Sequence, residues 1–173
     1  MVGRIRHLLE HHERAFHREC VPGHITSSAW IVSRESRSVL LTHHRKLERW
    51  LQLGGHTDGE INVLSSALRE AEEESGLVGF APIPPREVAS PFEIFDVDVH
   101  LIPARHDEPA HEHHDIRFLL EVSEDQEIEH QIVESKEVRW FPAEGIEAFL
   151  AEESLTRMAR KATDWLSRTP PGP

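Results

Sequence analysis

A second cysteine is missing from this chain. With Cys20 as the one thiol, no internal disulfide can close, and that usage fits a reducing compartment. Also missing is any apolar run of about 18 residues, the length a membrane-spanning helix needs. Met1 to His12 carries charges and histidines throughout and no apolar segment, so no signal peptide is expected and the cytoplasm is the expected location. Basic charge is scarce: 19 Lys and Arg stand against 31 Asp and Glu, a net charge of −12. A surface that coats a nucleic-acid polymer needs basic patches, so that class is disfavoured. Small anionic phosphates are still admissible partners, because a bound cation reverses the local field. The 173 residues suit one domain, 1–173, with a sizeable core. Repeats and low-complexity tracts are absent.

What the chain does have is a stretch from Gly54 to Gly76 that joins a glycine-rich loop to an acidic helix. Glu70, Glu73 and Glu74 are spaced i, i+3, i+4, so on a helix they share one face. Like charges so placed destabilise a helix and raise one another's pKa values. A divalent cation offsets that repulsion. Hard oxygen ligands with no cysteine point to Mg²⁺ or Mn²⁺. Gly54 and Gly55 allow backbone to come close to a ligand. Leu64, Ala67, Leu68 and Ala71 form the opposite, core-facing stripe, with Asn62 as N-cap and Gly76 as the residue that ends the helix. The plain alternative is a solvated acidic face, which the ordered combination of glycines, Arg-Glu and Glu-Glu outweighs.

The same stretch resembles the Nudix box, G-x5-E-x7-R-E-U-x-E-E-x-G-U with U aliphatic, through Gly55, Arg69-Glu70, Glu73-Glu74 and Gly76-Leu77. Ala71 is smaller than usual at the first U. Ile61 stands where the pattern has its first glutamate, and Glu60 comes one residue too early. The resemblance implies an α/β (α+β) fold, an α/β/α sandwich around a mixed sheet. It also implies a metal-dependent hydrolase that cleaves a phosphoanhydride in a nucleoside diphosphate linked to another moiety, or in a similar small substrate. Glu73 and Glu74 would be metal ligands, Glu70 a ligand or general base, and the carbonyl of Gly54 or Gly55 a further ligand. Arg69 would orient a carboxylate, as outer-shell partners do, against the alternative of a simple surface ion pair. Ile61 leaves the number of ions open. Members often use another acid outside the box, for which Glu134 and Asp115 are the candidates.

The remaining pattern gives an N-terminal helix over about 1–20, strands at 27–33, 38–43, 86–90, 94–102 and 114–122, and a short strand at Val138–Phe141. A Pro/His/Asp-rich loop spans Pro103 to His111. Pro142 is expected to open a helix to about Glu152, and a last helix runs from Ser154 to about Ser167, placing the C-terminal helices at about 142–168.

Histidine is the second unusual feature, with 14 in the chain. Alternation puts His111, His113, Asp115 and Arg117 on one strand face, and Asp96, Asp98 and His100 on another. Paired strands would bring His100, His113 and Asp115 together as a second site, for a metal or for phosphate with Arg117 as clamp; solvated strand histidines are the equal alternative. His56, Arg45 and Trp50 are further candidates for substrate contact, Trp50 against simple packing. The expected partner is a small phosphorylated, nucleotide-like molecule, with no nucleic-acid polymer and no membrane; a homodimer is left open. Three rivals remain. A Nudix-like sensor domain would bind without turnover. An isopentenyl diphosphate isomerase would need a catalytic cysteine, and Cys20 lies far from the box. A histidine-rich metal binder would hold Zn²⁺ or Ni²⁺ away from the box.

Overall fold

The computed structural model describes residues 1–83, 94–105, 108–129 and 135–169. Its architecture follows from β1 (Gly23–Ser33), whose residues are all buried. A strand reaches that state only when both of its faces are covered. Ile25, Ala29 and Ile31 point to one side and Trp30 and Val32 to the other. The remaining described strands are β2 (Ser38–His44), β3 (Arg49–Leu51), β4 (Leu53–His56), β5 (Ala81–Pro82), β6 (Ile94–Ile102), β7 (His111–Glu121) and β8 (Ser135–Pro142). β1 pairs in parallel with β7 and antiparallel with β2 and β4. β5 and β6 add antiparallel to β7, and β3 and β8 add antiparallel to β2. The sheet is therefore mixed.

Helices cover both of its faces. On one, α1 (Val2–His11) and α2 (Val63–Ser75) place Ile5, Leu8, Ala67 and Ala71 against Ile25, Ala29, Leu53, Ile116 and Phe118. The small side chains of Ala67 and Ala71 let α2 approach closely. On the other, α3 (Glu153–Arg168) sets Leu155, Met158, Ala159, Ala162 and Leu166 against Trp30, Val32, Val39 and Leu41. This is the α/β/α sandwich that the sequence implied. Among the described residues no helix is long and apolar enough to cross a membrane.

A buried ionic network fastens α3 to the sheet. Asp96 accepts hydrogen bonds from Arg157 Nη2 and Lys161 Nζ, each at 2.7 Å. Arg117, almost fully buried, donates to Asp115 at 2.7 Å and also faces Asp98 at 3.4 Å and Asp96 at 3.7 Å. Thr26 and Ser28 hydroxyls complete the shell of Asp115 at 3.2 and 2.8 Å.

Several elements differ from expectation. The N-terminal helix stops at His11 instead of reaching residue 20. Beyond it, tertiary bonds take over the backbone: Ala15 C=O accepts from Ile25 N–H, and Phe16 C=O from Gly59 N–H. Pro142 does not open a helix; it ends β8, and only a 3₁₀ turn, Ile146–Phe149, follows. Gly145, at φ 77°, is left-handed there and breaks the run. β7 starts at His111 and β1 at Gly23, both earlier than alternation indicated, because the parallel pairing of Gly23 with Glu112 extends them together. The strand expected at 86–90 lies outside the described residues. The last helix differs by one residue at each end.

Removing Arg117 would leave Asp115 a buried charge held only by neutral donors, since Asp96 keeps Arg157 and Lys161. Arg117→Ala is expected to lower stability by about 3–5 kcal/mol, read from urea unfolding; an unchanged midpoint would contradict the network's structural role.

Candidate functional site

The acidic helix and the glycine loop meet edge to edge. α2 begins at Asn62, whose side chain accepts from Ser65 N–H at 3.3 Å, and ends at Gly76 in the left-handed conformation, φ 73°. A Cβ on Gly76 would stand 2.8 Å from Glu129 Cβ, so the turn admits glycine on steric grounds as well. Those caps fix the phase of the helix, and with it the face that carries Glu70, Glu73 and Glu74. β4 runs beside β1 in antiparallel register, Ser28 opposite Gly54 and Ser27 opposite Gly55. Gly54 has no room for a side chain, since a Cβ there would lie 2.6 Å from Ser27 O, and a Cβ on Gly55 would lie 2.6 Å from the Glu70 carboxylate and displace it. The backbone of β4 thus lies directly along the carboxylates. Glu74 accepts from Gly54 N–H at 3.1 Å.

Arg69 organises the cluster. Its guanidinium contacts Glu70 at 2.8 Å and Glu73 at 2.9 Å, and donates to the carbonyl of His56 at 3.0 Å. Burial works against the Arg69 charge, but the Glu70 and Glu73 carboxylates outweigh it and hold its pKa above the ordinary value. Arg69 therefore joins two box carboxylates to the loop. Glu70 is sheltered, with 13% of its side chain exposed, whereas Glu73 is 51% exposed. Hard carboxylate oxygens beside open backbone suit a divalent cation such as Mg²⁺ or Mn²⁺.

The N-terminal half of the box is held from elsewhere. Thr57 Oγ1 donates to Phe16 C=O at 2.7 Å, and Arg18 clasps Asp58 in a bidentate pair at 2.8 and 2.9 Å. Ile61 is 75% exposed. Glu60 does not stand in for the missing glutamate; its carboxylate accepts from Asn62 N–H at 2.7 Å and so braces the helix start.

The other sequence candidates fall in different places. Asp115 and Arg117 belong to the ionic network on the α3 side, across the sheet from the acidic helix; Thr26, Ser28 and Arg117 enclose Asp115, and Arg117 meets the histidines only through Asp98, which faces both Arg117 at 3.4 Å and His100 at 3.2 Å. Trp50 packs edge-on against His43 and Phe141, with Arg139 over its ring at 5.1 Å. Arg45 donates to Ser135 C=O at 3.4 Å. Glu134 lies outside the described residues. His56 and His113 do come together, with ring centroids 5.3 Å apart, and His100 stands 5.5 Å from His113.

Sequence reasoning passed over His24 and did not link it to His56. His24 sits opposite His113 in the β1–β7 register, and its ring lies 4.8 Å from His113, 5.1 Å from His56 and 5.0 Å from His111. Its alternation with Thr26 and Ser28 was readable; the parallel register was not. Burial, then the neighbouring His56 and His111, push the His24 pKa down to about 4. Burial, with His24 and His56 beside it, pushes His113 to about 2.

A NUDIX domain model matches residues 23–166. The chain belongs to the NUDIX family. Solved structures agree. A hydrolase of the NUDIX family from Clostridium perfringens superposes with a TM-score of 0.63 at 26% identity, over 83% of this chain and 97% of that one. An Ap4A hydrolase from C. elegans, in a binary complex, gives a TM-score of 0.61 at 13% identity, over 84% and 97%. The dihydroneopterin triphosphate pyrophosphohydrolase of E. coli gives 0.61 at 14% identity, over 79% and 92%. The latter two share the fold. No curated protein matches.

The histidine cluster makes stability depend on pH. An unfolded histidine takes up a proton near pH 6.5, whereas folded His24 does so only near 4. Across that window the unfolded chain binds the extra proton, so stability is full above about pH 6.5 and falls as pH drops, by up to about 1.4 kcal/mol per unit from His24. Urea unfolding in EDTA at pH 5.5 and 7.5 should show the loss, and His24→Phe should reduce the slope; equal slopes in both proteins would contradict it.

Proposed function

We propose that the chain is a metal-dependent pyrophosphohydrolase of small nucleotide-like substrates, nucleoside diphosphates linked to another moiety foremost. The observation that carries this reading is the seating of Glu70 against Gly55 and of Glu74 on Gly54 N–H, with Arg69 bridging Glu70, Glu73 and the His56 carbonyl. Glu73 and Glu74, with the carbonyl of Gly54 or Gly55, would hold Mg²⁺ or Mn²⁺, and Glu70 would serve as ligand or general base. A cation there supplies Lewis acidity toward phosphoryl oxygens and lowers the pKa of its bound water. In the hydrolysis, water adds to phosphorus, the bridging P–O bond breaks, and the water's proton passes to a base. The sheltered carboxylate of Glu70 supports giving it that role. Arg69 is a positioning residue: it fixes two carboxylates and the loop that faces the substrate.

A second reading, a ligand-binding sensor of the same fold, draws on Ile61. An exposed aliphatic stands where the box carries an acid, which subtracts one carboxylate from the set.

A coupled phosphate-release screen separates the two. Nucleoside triphosphates, dinucleoside polyphosphates, ADP-ribose, NADH and sugar nucleotides would each be offered with Mg²⁺ and with Mn²⁺. The hydrolase reading expects turnover of at least one compound, abolished by EDTA. On that substrate, Glu73→Gln and Glu74→Gln should each lower kcat by about tenfold or more, and Arg69→Ala by about 10–100-fold. Wild-type turnover in both glutamine variants would overturn the catalytic role of the box. Saturable binding of a nucleotide with no hydrolysis under either metal would establish the sensor.

A further inference from the structure

The geometry points to a second metal site on the α3 side of the sheet, formed by His24, His56 and His113 and suited to a borderline transition ion of the Zn²⁺ class. Each residue comes from a different strand, β1, β4 and β7, and the pairing brings them together: His24 is opposite His113, and Thr26, two residues on from His24, is opposite His56. One ring nitrogen from each lies within 4.8 Å of the other two. At a Zn–N distance of about 2.0–2.1 Å, two nitrogens of a tetrahedral ion stand about 3.3 Å apart. Closing the set therefore takes about 1.5 Å at most, a movement within reach of imidazole torsions, whose wells are broad.

A separate observation points to a ligand. His24 is 0% exposed, yet neither of its ring nitrogens makes a well-formed hydrogen bond. The Cys20 backbone approaches as a weak partner, which still leaves at least one ring nitrogen unsatisfied. A buried imidazole without partners costs free energy, and an ion at the shared point satisfies one of its nitrogens. The site also has a surrounding shell. His111 stacks on His24 with its Nδ1 on Pro109 C=O at 2.9 Å, and Glu108 stands 3.7 Å from His111 Nε2. His100 packs edge-on to His113 with its Nδ1 3.2 Å from Asp98.

Three imidazoles without a carboxylate select a softer ion than Mg²⁺, so the two sites divide metals by ligand type. Beside the cluster, a cavity of about 540 Å³ lined by Arg18, Glu19, Val21, Arg105, Glu108 and His111 opens to solvent. It reaches the edge of the cluster at His111, whose ring stacks on His24. His56 belongs to both sites: its ring points to the cluster, while its carbonyl accepts from Arg69. The histidine site nevertheless stands whether or not the box hydrolyses anything.

The test uses Co²⁺ as probe on the full chain, stripped with EDTA and then dialysed into excess Mg²⁺ to fill hard-oxygen sites. Visible absorption reports tetrahedral Co²⁺, and competition with Zn²⁺ gives the relative affinity. Wild type should bind one equivalent with intense visible bands that Zn²⁺ displaces. His24→Phe, His56→Ala and His113→Phe should each weaken binding by about tenfold or more, while Glu73→Gln, Glu74→Gln and a His7→Ala/His11→Ala double variant bind as wild type does. The double variant controls for the paired imidazoles of α1, whose centroids are 4.1 Å apart. His56 is half-buried, so its alanine variant keeps the test valid should the His24 variant unfold. Less than one equivalent bound, unchanged affinity in the folded His56 and His113 variants, or loss of binding only in the α1 variant would each overturn the proposal.

Discussion

The parallel pairing of β1 with β7 is the constraint on which everything else rests. Register along ten residue pairs of these two strands fixes which side chains face α2 and which face α3. A slip of one residue would exchange the two sets. Ile25, Ala29, Ile116 and Phe118 form the floor on which the acidic helix packs, and Trp30, Val32 and Leu119 form the floor for α3. Because β4 pairs with the same β1, the glycine loop is placed relative to α2 through a single strand. The distance between Gly55 and Glu70 is thus set by core packing rather than by the site itself.

The sheet separates two kinds of chemistry. Along α2, oxygens dominate: carboxylates held in place by Arg69 and by the backbone of β4. On the opposite side, nitrogens dominate around His24, and farther along β7 the same face carries the Asp96–Arg117–Asp115 network. One strand face therefore passes from neutral imidazoles to paired charges within four residues of β7. Each charge there has a partner, whereas neither ring nitrogen of His24 makes a well-formed hydrogen bond. That contrast singles out the histidines.

Much of the box was legible in the sequence because its information is local. Asn62, Gly76, the spacing of the glutamates and the apolar stripe all act within a few residues of one another, and α2 appears with both expected caps. Strands 94–102 and 38–43 were readable for the same reason. What escaped were features determined by distant partners. Residues 13–19 contain Ala15 and Phe16 in helical spacing, but their carbonyls bond to Ile25 and Gly59 across the chain. β3 and β4, at three and four residues, are too short to show a period and exist because β2 and β1 pair with them. The grouping of His24 with His56 and His113 depends on register between three strands, which no local pattern carries. Asp115 looked available by alternation and is instead enclosed by Thr26, Ser28 and Arg117.

Family membership, the contact of Glu70 and Glu74 with the glycine loop, and the bridging by Arg69 support the proposal that the box holds a divalent cation. Anomalous diffraction from crystals grown in Mn²⁺ addresses that claim most directly. The account predicts an anomalous peak about 2.0–2.6 Å from carboxylate oxygens of Glu73 and Glu74, next to the Gly54–Gly55 backbone. Crystals with saturating Mn²⁺, no peak at these carboxylates, and Arg69 still bridging Glu70 to Glu73 would contradict it.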